Sequence, residues 1–443
     1  MIDYENHLRI KHLLEQIYSE KIKEWAREVG DFSSWTRRRD MPLEDILLCT
    51  LGKKGLSTTM ELRQYFQAVQ KVEQTVSKQD YLKQRKKLNP EVFKRLNSNY
   101  LREFYEGQKV KTGKGYVVLS IDGSRAEIPE SQENRQVYGQ SSTQYGKAEA
   151  RASLSVMHDV MNRFILDIDI GHYLSSEIQQ AKRHIAELKG IVGQRPVLIM
   201  FDRNYASIEF LDFLEKAGVK YLIRLGERAF KAEIRQMKGK DQEVELEHTK
   251  ARLRNIKQTK AQRAQELEQQ RSSRVRIVKT VLATGEAVTL ITNLREGTAA
   301  QIRALYRKRW LIEQKYHTLK NKLKFESVTG KASIYVKQDF WAQTLVYNMV
   351  EDMITGAEYR ASGEAKRKRL RYKVRINENI AIGLFKEQFI RLMVEQEDGR
   401  KDQMFRSLIA EMQRNIVPVR NLKSSPRKWK HYNKYKCNLK PSF

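Results

Sequence analysis

The sequence predicts a mixed α/β fold: a sheet flanked by helices, preceded by a helical region, interrupted by a β-containing insertion and followed by a helical basic region. Two buried-strand signals and one change of period carry this expectation. YVVLSID, from Tyr116, and PVLIMFD, from Pro196, are short apolar runs rich in β-branched residues. Between and after them, helix-period segments alternate with further apolar runs up to Gly226, whereas residues before about 108 keep a helical period throughout.

Taken in order, Pro42 opens a helix carrying Leu43, Ile46, Leu47, Leu48 and Leu51, closed at GKKG. A second helix runs from Ser57 to about Phe66. A third starts at Ser77, where SKQD has the Ser-x-x-acid capping pattern, and reaches Asn89-Pro90. Short helices ending in a basic one suit a DNA-binding module and equally an ordinary solvated bundle.

From Tyr116 the pattern is strand, hairpin, helix, strand, helix, strand. ASLSVMHDV and RFILDIDIG flank the turn Met161-Asn162, and SSEIQQAKRHIAELKG reads as a helix ending on Gly190. After PVLIMFD come a helix from about Ser207 to Lys216 and the strand VKYLIRLG. Residues 226–296 break the pattern. There the polar stretch 248–272 separates the strands EVELE and SRVRIVKTVLATGEAVTLITNL, and the segment is expected to form its own small sheet. The helix-period stretch 304–325 and the apolar helix DFWAQTLVYNMVEDMI follow. Then come the basic run AKRKRLRYKVR, two more helices and the tail SSPRKWKHYNKYKCNLKPSF.

Charge limits the function classes. Lys and Arg total 84 against 54 Asp and Glu over 443 residues, a formal charge of +30, which favours a polyanionic partner because each neutralised phosphate releases counterions. No apolar run approaches the roughly 20 residues that span a bilayer, and the charged start lacks a secretory apolar core, so no membrane association is expected. Two cysteines, Cys49 and Cys437, are too few for a disulfide framework or a structural zinc site, which fits a reducing, cytoplasmic setting.

Against that basic background, the placement of three acids stands out. Asp122 and Asp202 are each the first polar side chain after a buried strand, where a carboxylate is held rigidly beside a neighbouring strand end. Either alone is more simply a turn former. In ALYRKRWLIEQKYHTLKNKLKF, Glu313 is the lone acid. At about 100° per residue, Leu305, Ile312, Tyr316, Leu319 and Leu323 fall in one arc, while Tyr306, Arg309, Glu313 and Lys320 fall in a second arc bordering it. Glu313 is thus expected at the seam between core and solvent, and by itself could be an ordinary i,i+4 partner of Arg309.

The spacing Tyr-x2-Arg-x3-Glu-x6-Lys, from Tyr306 through Arg309 and Glu313 to Lys320, resembles the YREK signature of DDE-class insertion-sequence transposases (insertion-sequence family four). LYRKRWLIE and the preceding TLITNL are similar to that family as well. SIDGS resembles the segment bearing its first catalytic aspartate, FDRNY its second, and QDFWA after SVTGKAS its following helix. Asn204 departs from the glycine usual there, but Asn tolerates a left-handed turn better than most residues. The likeness covers roughly residues 35 to 355.

The resemblance implies an RNase H-like sheet in which Asp122, Asp202 and Glu313 act as catalytic residues converging on two Mg²⁺ (or Mn²⁺) ions. It further implies that Arg309 and Lys320 contact DNA phosphates, with Tyr306 a contact or packing group beside them and Arg203 a possible addition. The implied partners are double-stranded DNA, namely terminal inverted repeats and target, and a second copy of the chain bridging two ends in a prokaryotic nucleoid. The expected division is a helical DNA-binding domain (1–110), a core in two parts (111–225 and 297–358), an insertion (226–296) and a helical basic C-terminal region (359–443).

A nuclease of the same fold that does not join DNA, and a transposase-derived DNA-binding protein without catalysis, are the competing readings. Among other candidate residues, Asp167 and Asp169 are expected on a wet strand face, Glu127 in a loop and Asp159 at the hairpin turn. His317 is expected at the surface, and Trp310 packed against the next helix.

Overall fold

The computed structural model describes residues 5–419 apart from 38–39, 72, 74–75, 108, 143–147, 283–284 and 368–370. The tail beginning SSPRKWK, with Cys437, lies outside the described residues, as does part of the run AKRKRLRYKVR.

The helical start comprises α1 (Glu5–Ile17), α2 (Lys21–Ala26), α3 (Leu43–Leu51), α4 (Thr58–Ala68), α5 (Lys78–Arg85) and α6 (Glu91–Glu106). Pro42 stands at the N-cap of α3, and the Ser77 hydroxyl caps α5 by accepting from Asp80 N, as the sequence pattern indicates. The α/β part then follows as β1 (Val117–Glu127), α7 (Gln132–Tyr138), β2 (Gln140–Ser142), β3 (Ala148–Asp159), β4 (Ile165–His172), α8 (Glu177–Val192), β5 (Val197–Phe201), α9 (Ile208–Lys216) and β6 (Lys220–Arg224). Helix α8 passes through Gly190 and ends instead at Gly193, whose φ of +63° turns the chain toward β5.

Residues 226–296 do not build a separate sheet. After α10 (Lys231–Gln236) they form β7 (Asp241–Glu247), the helices α11 (Lys250–Thr259) and α12 (Ala261–Gln270), then β8 (Ser272–Val281) and β9 (Ala287–Thr292). Strand β9 pairs with β6, so among the described residues nine strands share one sheet, in the order β2-β3-β1-β5-β6-β9-β8-β7 with β4 also on β3. Pairings β1–β3 and β3–β4 are antiparallel, and β1–β5 and β5–β6 parallel. Three antiparallel strands followed by two parallel ones, with helices on both faces, make this an RNase H-like mixed sheet.

Helices continue with α13 (Ala299–Tyr306), a 3₁₀ turn (Arg307–Trp310), α14 (Leu311–His317), a π-turn (Thr318–Lys322) and the long α15 (Ser333–Arg367). Beyond these lie β10 (Val374–Ile376), α16 (Glu378–Val394), α17 (Asp398–Arg414) and β11 (Ile416–Pro418).

Strand alternation splits the core into two. Leu119 and Ile121 of β1 face the larger one with α6, α8 and α15, while Val118 joins Leu198, Met200, Leu222, Ile302, Leu305 and Tyr306 under α13. From Gln338 to Ile354 helix α15 is buried all round, and many of its polar side chains there are spent on neighbours. Asp339 pairs with Lys53 and Arg85, Asp352 with Arg9, Glu351 with Lys315, and Asn348 bonds Asn97 and the backbone of Ile165. These bonds dock the N-terminal helices and α14 onto α15, and Asn348 ties α15 to β4, because a buried charge left unpaired costs several kcal/mol, on the order of 3–5.

Candidate active site

Parallel pairing of β1 with β5 runs from Val117↔Val197 to Ser120↔Met200. Two residues on, where that pairing has stopped, Asp122 and Asp202 stand beside each other at the sheet rim. Asp122 is not the end of its strand: β1 continues to Glu127 by pairing with β3, with Asp122 opposite Val156. Its main chain is gripped there, since the Tyr316 hydroxyl donates to the Asp122 carbonyl at 2.6 Å. Asp202 opens a 3₁₀ turn, Arg203–Tyr205, and its Oδ1 accepts from Arg203 N at 2.6 Å. Asn204 sits inside this turn without a positive φ, so glycine is not needed at that position.

The third acid comes from across the rim. Arg309 lies in the 3₁₀ turn and Glu313 in α14, and Arg309 Nη2 donates to Glu313 Oε1 at 3.3 Å while Nη1 stands 3.8 Å from Asp122 Oδ2. The guanidinium is largely buried and lies 6.0 Å from the Tyr306 ring centroid. Tyr306 itself is buried, its hydroxyl 3.5 Å from the Phe201 carbonyl, so it fastens the helix to the end of β5, next to Asp202. Lys315 Nζ, 2.6 Å from Glu351, fixes α14 to α15 from the other side. Glu313 keeps 37% of its side chain exposed, at the seam between core and solvent.

The cost of burying a charge shows in Asp122. Burial pushes its pKa up to about 6, with Asp202 and Glu177 adding to the rise and the Arg309 charge and the Gly123 N–H opposing it. Arg309 responds inversely. Burial works against its charge, but Tyr306, Asp122, Asp202 and Glu313 together outweigh burial and hold the guanidinium above its ordinary range.

In this conformation no three His, Cys, Asp or Glu side chains among the described residues form a ready metal cluster. The donor set nevertheless suits a hard divalent cation: oxygen ligands only, on rigid elements, with one arginine supplying the positive charge between them. The buried Tyr205 hydroxyl, in the turn that Asp202 opens, has no hydrogen-bond partner among the described residues.

Other residues singled out from sequence fall as follows. Lys320 Nζ donates to the Arg125 carbonyl and lies 3.3 Å from Glu326 Oε1, so it rests on the extension of β1 beyond Asp122. Arg203 and His317 are exposed. Trp310 is not packed in the core: it is 47% exposed, because its position falls outside the apolar arc of Leu305, Ile312 and Tyr316. Asp167 is not solvated either. It is buried, paired at 2.6 Å with His184, which in turn reaches Ser155, whereas Asp169 is partly exposed beside Arg183. Glu127 belongs to β1 and pairs with Arg151, and Asp159 is buried, its Oδ1 accepting from Met161 N and Asn162 N at the hairpin turn.

Two residues at the site went unnoticed in the sequence. Glu177, first residue of α8, stands beside Gly123, and Tyr205 ends the turn that Asp202 begins. Glu177 reads as a common helix-start acid. Tyr205 belongs to FDRNY and could have been found there.

Residues 113–349, more than half of the chain, match the family model described as "Transposase DDE domain". No curated protein matches the chain in sequence. Among solved structures, a cryo-EM structure of piggyBac transposase in a synaptic complex with hairpin DNA is similar at 9% identity and a TM-score of 0.41, the alignment covering 91% of this chain and 80% of that one. No described helix is long and apolar enough to cross a membrane.

Proposed function

The chain belongs to the transposase DDE domain family, and from that premise we propose that it cuts DNA at transposon ends and joins the freed 3′-hydroxyl to target DNA. The observation that carries this reading is the placement of Asp122 and Asp202 just beyond the last paired residues of β1 and β5, with Glu313 linked to Asp122 through Arg309. Asp122, Asp202 and Glu313 are the oxygen donors for Mg²⁺ or Mn²⁺, two ions per site. Such ions, when bound, favour deprotonation of the attacking hydroxyl and offset charge on the leaving oxygen.

The chain's own residues then have separable tasks. The three acids hold position and keep the rim anionic until it is filled. Arg309, which now neutralises Asp122 and Glu313, is the cation best placed to meet a DNA phosphate once those acids are otherwise neutralised. Lys320 and the exposed Arg203 extend the phosphate-contacting surface, and Tyr306 acts as a packing group beneath it. The formal charge of +30 supports double-stranded DNA as the partner, both terminal inverted repeats and target. Two copies bridging two ends, acting on a prokaryotic nucleoid, complete the insertion-sequence reading.

A strand-transfer assay tests it. Purified protein is mixed with Mg²⁺ or Mn²⁺, oligonucleotides carrying pre-cut ends of the DNA flanking its own gene, and a supercoiled plasmid. Joined product is expected. Degradation without joining would make the chain a nuclease, and DNA binding with neither product would make it a non-catalytic binder.

A further inference from the structure

We propose that Glu378, in the C-terminal region, is a positioning residue for the rim: its carboxylate braces the turn between Glu313 and Lys320, so that Glu313 stays at Arg309 while Lys320 reaches the Arg125 carbonyl. This rests on reading the acidic rim as the site of DNA cutting and joining, and its test separates the two.

The segment that carries Glu313 and Lys320 is not one regular helix. Glu313 lies in α14, whereas Lys320 lies in the π-turn Thr318–Lys322, across which Leu323 N donates to the Thr318 carbonyl at 3.0 Å. In an unbroken α-helix, residues seven apart fall about 20° from each other around the axis. An i→i+5 turn winds through fewer degrees per residue, so the angle between Glu313 and Lys320 depends on this turn. π-turns are rare in helices, and this one is braced from outside.

Glu378 supplies the brace. Its Oε1 accepts from the Thr318 hydroxyl at 3.3 Å, its Oε2 accepts from the Lys322 ammonium, and Lys315 Nζ of α14 stands 3.5 Å from Oε1. Thr318 and Lys322 are the first and last residues of the π-turn, so one carboxylate spans it from end to end. Lys315 at the same time bonds Glu351, which ties the start of this segment to α15.

The carboxylate is itself firmly placed. Glu378 is the first residue of α16, and the Asn377 side chain caps that helix by accepting from Asn379 N and Ile380 N. Asn377 also donates its own N–H to the Asn415 carbonyl at 2.8 Å, and α16 buries Phe385 and Phe389. The brace therefore comes from a packed unit that lies outside residues 113–349, the part of the chain that matches the family model.

An acid in the first turn of a helix is favourable on its own, and so is a single ion pair at a surface. Neither accounts for three contacts on one carboxylate, two of them from the opposite ends of a π-turn in another element.

The test compares full-length wild type, E313Q, E378A and E378D. E378D keeps the charge but withdraws it by one methylene, and it serves where E378A fails to fold. Amide hydrogen exchange is read over residues 311–325 without DNA. Joining of pre-cut ends in Mn²⁺ is read as a single-turnover rate at saturating DNA, with duplex affinity and thermal melting measured alongside. Both Glu378 variants are expected to exchange faster in this segment and to join roughly tenfold to a hundredfold more slowly, with duplex affinity not weakened and the loss of rate persisting well below their Tm. Exchange like that of wild type in both variants overturns the proposal. Faster exchange with joining at the wild-type rate overturns it too, because Glu378 would then support the turn without serving the reaction. Slower joining that recovers at temperatures well below Tm marks lost stability and has the same consequence. E313Q joining like wild type, or no joining by wild type, overturns the catalytic reading of the rim and the positioning role with it.

Discussion

Arg309 and Glu313 join across the boundary between two kinds of helix: the arginine lies in a 3₁₀ turn, the glutamate in the α-helix after it, and Nη2 meets Oε1 at 3.3 Å. On an exposed face such an i,i+4 pair contributes about 0.3–0.5 kcal/mol. Here the same guanidinium also faces Asp122 and is largely buried, so it acts as the counter-charge of the site. R309Q is therefore expected to melt below wild type without metal, by the equivalent of about 1–2 kcal/mol, and to recover most of that difference in millimolar Mn²⁺. Identical melting of the two proteins in both conditions would reduce the contact to an ordinary surface pair.

Substituting the acids separates chemistry from architecture. D122N, D202N and E313Q each remove one charge without removing volume. All three are expected to abolish cleavage and joining while binding duplex DNA as wild type does in a gel-shift titration. D122N is also expected to melt above wild type at neutral pH without metal, because the buried charge it removes is disfavoured by its surroundings. Loss of DNA binding together with lowered Tm in these variants would mean that the acids hold the fold.

Much of this site is readable from sequence because its parts sit at the ends of strong local patterns. VLIMF, a five-residue apolar run after Pro196, reads as a buried strand, so Asp202 is placed by what precedes it. The extension of β1 past Asp122 is not readable: DGSRAE has little apolar content, and its strand pairing is with β3 alone. Pairing of β9 with β6 is likewise invisible, since it depends on which strand edge is left free after the core assembles, a non-local choice. Trp310 lies about 140° around the helix from the apolar arc of Leu305 and Ile312, and its exposure follows that angle rather than the apolar character of its ring. Glu177 comes to lie beside Gly123 only through the packing of α8 on the sheet, and no spacing in the chain encodes that.

Lys320 tests how far the basic rim is a DNA surface. Its ammonium leans on the Arg125 carbonyl and Glu326, so it both braces the end of β1 and presents charge beside the acids. K320A is expected to weaken DNA binding and to reduce the slope of log K against log salt by about one unit. A lowered Tm with the salt slope unchanged would assign Lys320 to bracing alone.

Lys386 offers a test of the fold that is independent of the active site. It is buried in α16, its ammonium donating at 2.6 Å to the Lys53 carbonyl and at 2.6 Å to Gln343 Oε1. Burial, helped by the Lys53 and Lys54 charges, pushes its pKa from 10.5 down to about 7. The folded protein thus gives up this proton near pH 7, whereas the unfolded chain keeps it to about 10.5. Between those values the unfolded state binds more protons, so stability from this group rises with pH, by about 1.4 kcal/mol per unit. Below pH 7 both states are protonated and the full penalty of a buried charge remains. K386M removes the titration and, with it, the two hydrogen bonds, a pH-independent loss of about 1 kcal/mol each. Denaturant unfolding at pH 7, 8.5 and 10 should then show wild type gaining on K386M as pH rises, while other lysines titrate equally in both proteins. Parallel stability curves across that window would mean that Lys386 stays charged in the folded protein, with the Asp339 and Glu61 carboxylates outweighing its burial.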